Sequence, residues 1–158
     1  MQLKAKENLI WTKKTILEKQ LYNKLIGSLI KKGYKITAIK ILSQAFLSLK
    51  KKTGYSFPFL VWKLFLKLHV TIDVRTVLIR GRSHIVPFKT KPHRKIYLVT
   101  KWLTSAILLN KKKGSMVASI VNEFLLIYKN DKSSKAVSAR QNNLEKALAN
   151  RANLHYRW

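Results

Sequence analysis

One stretch, Val70 to Lys95 (VTIDVRTVLIRGRSHIVPFKTKPHRK), limits what this chain can become. Nearly everything outside it carries apolar residues at helical spacing. Inside it β-branched residues alternate, with Ile72, Val74 and Val77 on one arm, Ile85 and Val86 on the other, and Arg80-Gly81-Arg82 between them. Strand propensity, a central glycine and Pro87 on the return arm predict a β-hairpin over residues 70–88. A two-stranded ribbon is marginal alone in water, so it needs a partner surface. Arg80 and Arg82 at the tip, with Lys89, Lys91, Arg94 and Lys95 at the base, suit a polyanion in that role.

The remaining chain reads as helices. Leu9, Ile16, Leu17, Leu21, Leu25, Ile26, Leu29 and Ile30 predict a first helix, helical in spacing from Ile16 and stopped by Gly33. Thr37 to Lys52 repeats the pattern, and its closing Lys50-Lys51-Lys52 also suits the helix dipole. Pro58 opens a third helix to Leu68, with Phe59, Trp62 and Phe65 read as core in preference to a stacking platform, and Lys63 and Lys67 on one face. Pro92 bounds a fourth helix, Arg94 to Leu109. A basic loop, Asn110 to Gly114, leads to Ser115, the expected cap of a fifth helix to Tyr128. A last helix is predicted from Ala136 to the C-terminus. The fold class is therefore mainly α: six helices in one globular domain with one protruding hairpin. Residues 1–15 form an N-terminal arm open to ordering on RNA, and residues 16–158 form the domain.

Charge narrows the partners. Lys and Arg number 33 against 6 Asp and Glu, a formal net charge of +27, while 47% of residues are hydrophobic. That apolar fraction excludes a disordered basic tail. The self-repulsion calls for a counter-charge, either nucleic acid or an anionic membrane surface. A membrane span is not expected, because Lys63 and Lys67 interrupt Phe57–Leu68, short of the ~18 apolar residues needed. Met1 to Lys14 lacks the apolar run of a secretory signal, and Glu7 and Glu18 match a transit peptide poorly. With no cysteine there are no disulfides or thiolate sites.

An enzyme is not expected. Glu7, Glu18, Asp73, Glu123, Asp131 and Glu145 form no sequence-local acid–base pair, and His69, His84, His93 and His155 lack metal-ligand spacing. Lys113-Gly114-Ser115 lacks the upstream glycine of a phosphate loop. No cofactor, metal or small-molecule substrate is predicted. Lysine outnumbers arginine, which favours phosphate neutralisation over base-edge readout. The closing His155-Tyr156-Arg157-Trp158 reads two ways, as rings that stack on unpaired bases or as a helix end packed on the core through Trp158.

Several segments carry a resemblance. Ala149 to Trp158 (ANRANLHYRW) is similar to the A-N-R-A-x-x-H-Y-R-W ending of small-subunit ribosomal protein seven. Asp73-Val74-Arg75-Thr76 resembles that family's E-V-R-S, Val86-Pro87 its V-P, Pro92-x-Arg94 with Trp102-Leu103 its P-x-R and W-L, and Lys52-Thr53-Gly54 its K-T-G. The likeness spans Leu21 to Trp158. It departs at Val77 and Leu78, where bacterial members usually carry arginines. It departs again at Arg80, which replaces a turn glycine, and at His84-Ile85, which replaces a Tyr-Gln pair.

This resemblance implies six helices with a protruding hairpin. It implies binding to the 3′ major (head) domain of small-subunit rRNA, nucleation of head assembly, neighbouring head proteins, and a hairpin near the exit-site tRNA and the mRNA path. The expected rRNA contacts are Lys31, Lys32, Lys35, Arg75, Arg80, Arg82, Lys89, Lys91, Arg94, Lys95, Lys101, Lys111, Lys112, Lys113, Arg140, Arg151, His155, Tyr156, Arg157 and Trp158. Richness in Lys, Ile, Leu and Asn suggests an AT-rich coding genome. Taken with the bacterial-type motif and the poor transit-peptide match, the resemblance implies an organelle-encoded protein of the mitochondrial matrix, with plastid or bacterial cytoplasm as the alternatives. The rival from another class is a basic amphipathic protein on a membrane surface. A third reading is an RNA-modifying enzyme.

Overall fold

Leu21, Leu25 and Ile26 recur about one turn apart and are all buried, so the first helix is held by its apolar stripe. The computed structural model describes residues 18–111, 115–131 and 133–157. The expected N-terminal arm lies outside them. The described part of α1 covers residues 18–29. It ends before Gly33, and Lys32 (φ 51°) and Gly33 (φ 79°) form a left-handed turn beyond it. Gly33 thus shapes the connection and does not terminate the helix as expected.

Helix α2 spans Lys35–Thr53 and closes on Gly54, whose φ of 73° lets its N–H reach the Lys50 carbonyl at 2.8 Å. Helix α3 spans Phe57–Leu68. Its aromatic residues divide: Phe65 is buried, Trp62 half-buried, and Phe59 exposed, against the expectation that all three are core. Helix α4 (Pro92–Lys111) and α5 (Met116–Lys129) follow the hairpin. Ser115 occupies the N-cap position of α5, but its side chain makes no capping hydrogen bond.

Helix α6 spans Lys135–Ala149, and it does not continue to the C-terminus as predicted. Asn150 leaves helical geometry (φ −102°, ψ 19°), and a short 3-10 helix, Arg151–Tyr156, follows. Asn150 Nδ2 donates to the Lys146 carbonyl at 2.9 Å, occupying an end-of-helix acceptor. Ala147 near the end of α6 is buried, whereas Leu148 beside it and Leu154 in the 3-10 helix are exposed.

The core lies where α2, α3 and α4 meet α5. Edge-to-face rings run through it, Tyr22 to Phe57 (5.2 Å), Phe57 to Phe46 (4.3 Å) and Phe46 to Phe124 (5.4 Å), tying α1, α3, α2 and α5 together. Glu123 is fully buried on α5. Its carboxylate accepts from Asn110 Nδ2 (2.8 Å), Ser134 Oγ (2.7 Å) and the Ala136 N–H (3.2 Å), joining the end of α4 to the start of α6. A carboxylate at a helix N-terminus is also favoured by the dipole.

The hairpin pairs β1 (Ile72–Ile79) with β2 (Arg82–Lys89), from Ile72 opposite Lys89 to Ile79 opposite Arg82. The turn is the pair Arg80 and Gly81, with φ 48° and 75°, while Arg82 already belongs to β2. Two positive φ values give the primed turn whose twist matches the strands. Thr90 closes the base: its N–H donates to the Thr71 carbonyl (2.9 Å) and its hydroxyl to the Val70 carbonyl (2.7 Å). Val70, Val86 and Pro87 are buried there, while Leu78, Arg80 and Arg82 at the far end are exposed. The outer half of the ribbon projects.

Candidate nucleic-acid interface

Opposite its buried stripe, α1 presents Gln20, Asn23, Lys24 and Ser28, three to four residues apart and hence on one face. On α4, Arg94, Tyr97, Lys101 and Thr104 repeat the spacing. These two faces and the base of the hairpin bound an open cleft of about 1150 Å³. Five cations line it: Lys24 from α1, Arg75 from β1, Lys91 from the connection, and Arg94 and Lys101 from α4. His93 and Tyr97 add ring donors and surface. Cations converging on a concave surface focus positive potential where a phosphate chain can lie.

The geometry of the cleft is fixed by an acid. Asp73, buried at the hairpin base, accepts from Arg94 Nε at 2.8 Å through one oxygen and from the Val74 N–H at 2.9 Å through the other. The Arg94 guanidinium lies 5.0 Å from the Tyr97 ring centroid, and that of Arg75 lies 5.3 Å from the Phe88 ring. The Arg94 side chain stays 39% exposed, so it anchors the hairpin while keeping a wet face. Burying Asp73 without that partner would be costly.

Of the expected contacts, Arg75, Lys91, Arg94 and Lys101 converge on the cleft. Arg80 and Arg82 stand at the hairpin tip, Lys89 at the end of β2, and Lys31, Lys32 and Lys35 around the α1–α2 turn, all exposed. Lys95 and Arg140 are half-buried, on α4 and α6; among the described residues the enclosed Arg140 Nε has no acceptor. The side chain of Lys111, and Lys112, Lys113 and Trp158, lie outside the described residues.

The C-terminal set is drawn onto the hairpin. Asn153 Nδ2 donates to the Ile85 carbonyl at 3.0 Å, and the Tyr156 ring sits 4.9 Å from His84 and 3.8 Å from His155. Arg151, His155 and Arg157 remain exposed beside it. Gln20, Asn23 and Tyr97 are cleft residues absent from the expected set, and Lys24, a lysine on the polar side of the first helix, joins them. Their signal was present as a polar stripe facing away from Leu21 and Leu25.

Among the described residues, no three His, Cys, Asp or Glu side chains gather into a group that could hold a metal. No described helix is long and apolar enough to cross a membrane.

Comparison with known proteins identifies the frame in which this cleft sits. The family model described as "Ribosomal protein S7p/S5e" matches residues 2–151. The small ribosomal subunit protein uS7 of Thermodesulfovibrio yellowstonii is 33% identical over 142 residues, 89% of this chain and 88% of that protein. The small ribosomal subunit protein uS7m of Reclinomonas americana is 29% identical over 161 residues, covering 98% and 99%. The uS7 of Mycobacterium avium is 32% identical over 143 residues, covering 88% and 87%. With most of its length matched by the family model, and a mainly helical fold carrying one antiparallel hairpin, the chain belongs to the ribosomal protein S7p/S5e family of the small subunit.

Proposed function

We propose that the cleft between α1, the hairpin base and α4 holds the 3′ major domain of small-subunit rRNA, and that this binding nucleates assembly of the subunit head. One observation carries the reading: Lys24 from α1, Arg75 from β1, Lys91 from the connection, and Arg94 and Lys101 from α4 reach a single cleft. The contacts are chiefly electrostatic, so they position the RNA backbone and leave sequence to the shape of the RNA. The exposed turn cations Lys31, Lys32 and Lys35 extend the surface.

The projecting tip has a different task. Arg80 and Arg82 lie far from the buried base and face the exit-site tRNA and the mRNA path, with other head proteins packed nearby. The protein works in the mitochondrial matrix; the uS7m relative, aligned over nearly the full length of both chains, supports that location.

Binding of the purified chain to a 3′-major-domain transcript, against a 5′-domain transcript of equal length, tests the first part. Preference for the former is expected. Equal binding to both, or recovery on anionic vesicles in place of small subunits, removes the proposal. Deleting Leu78 to Ser83 and closing the strands with a short turn tests the second part. Normal entry into the subunit with altered reading-frame maintenance is expected, and failure to enter makes the tip an assembly anchor.

A further inference from the structure

On the side built by the α2–α3 connection, α3 and α5, two aromatic rings lie uncovered. Tyr55 is 42% and Phe59 37% exposed, with ring centroids 4.7 Å apart and planes 30° from parallel. Phe57 and Phe65 of the same helix are packed inward, so the exposure of Phe59 is not a general property of α3. Tyr128 of α5 stands 5.9 Å from Tyr55.

Two lysines brace this cluster. The Lys63 ammonium sits 4.0 Å from the Tyr128 ring centroid, 5.7 Å from Phe59 and 5.9 Å from Tyr55. Lys67 Nζ donates to the Tyr128 carbonyl at 2.6 Å. Hydrogen bonding with Tyr55, and then with Lys63, holds the Tyr128 hydroxyl below the usual phenol range. Just before Tyr55, across the left-handed turn at Gly54, Lys50, Lys51 and Lys52 are all exposed.

We propose that Tyr55 and Phe59, with Lys50 to Lys52, form a second RNA site that stacks an unpaired base on the rings and holds its phosphates on the lysines. It shares no residue with the cleft. The charge selects an anion: a cationic ligand would meet the ammonium of Lys63 already among the rings. Asp131, the acid nearest in sequence to Tyr128, accepts from the Ser133 N–H at 3.1 Å. An acidic peptide would satisfy the lysines but has no flat surface to match the rings. A nucleotide supplies both, a π-face and a phosphate.

The test uses the full chain, a labelled oligoadenylate, and an abasic oligomer of the same length and charge. The oligoadenylate should bind about tenfold more tightly. The double variant Tyr55→Leu, Phe59→Leu keeps apolar bulk and should erase most of that preference while leaving abasic binding within about twofold; Tyr55→Phe should retain it. Ultraviolet cross-linking of the oligoadenylate to the unmodified chain gives a readout independent of any variant, and adducts are expected at Tyr55 or Phe59. A preference that survives the double variant, or adducts confined to other peptides, overturns the proposal. So does a polyglutamate peptide that competes as well as the oligoadenylate and loses its binding in the double variant, because the site then belongs to a protein partner.

Discussion

The helical core and the hairpin are stabilised by different means. The core is apolar and mutually enclosing: Phe46 and Phe57 each touch rings from two other helices, and the buried Glu123 has three donors. The hairpin has no interior. Its base buries Val70, Val86 and Pro87, polar bonds fasten Thr90 to Val70, Asp73 to Arg94 and Asn153 to Ile85, and the Tyr156 ring lies on His84; beyond these it relies on its own ladder. Changes in the core should therefore unfold the molecule, whereas changes at the fastenings should alter hairpin order and leave the helices standing.

The largest effect is expected from Glu123→Ala. It leaves the Asn110 amide, the Ser134 hydroxyl and the Ala136 N–H without an acceptor, and should cost roughly 3 kcal/mol or more in urea unfolding. Next comes Asp73→Ala, which strips Arg94 and the Val74 N–H of their partner. Because Arg94 is partly exposed, about 1–2 kcal/mol is expected. The loss should appear as faster amide exchange in β1 before the helices respond; uniform destabilisation would erase the distinction between the two regions.

Asn153→Ala removes one exposed hydrogen bond and should cost about 0.5–1 kcal/mol, read as increased exchange around Ile85 with little change in melting temperature. The smallest change has the opposite sign. Arg80 holds a left-handed φ of 48°, so Arg80→Asn should stabilise the isolated protein by about 0.5 kcal/mol. An unchanged or lower melting temperature would mean that the turn carries no strain.

Local chemistry made most of the fold legible. Alternating Ile72, Val74, Ile85 and Val86 around Gly81 marked the hairpin, and Pro58 and Pro92 marked helix starts close to those observed. The end of α6 was only partly legible. A local signal was available in Asn150, whose side chain takes the Lys146 carbonyl, but the Ile85 carbonyl that Asn153 reaches lies 68 residues away. Phe59 was misread for a related reason, since helical spacing gives a face but not its neighbour. How α1 completes the cleft was likewise hidden. Arg75, Lys91, Arg94 and Lys101 lie close in sequence, but Lys24 joins them only because α1 lies beside α4.

The central claim is that the cleft concentrates the phosphate contacts. It is tested by measuring rRNA affinity against salt for the natural chain and for Lys24→Gln, Arg75→Gln, Lys91→Gln, Lys101→Gln combined, with Arg94 kept because it holds Asp73. With about ten phosphate contacts the natural chain should give a logarithmic slope of roughly −7 to −9, and the variant a slope shallower by about 3 with affinity strongly reduced. An unchanged slope and affinity in a correctly folded variant would contradict the account and place the RNA elsewhere on the protein.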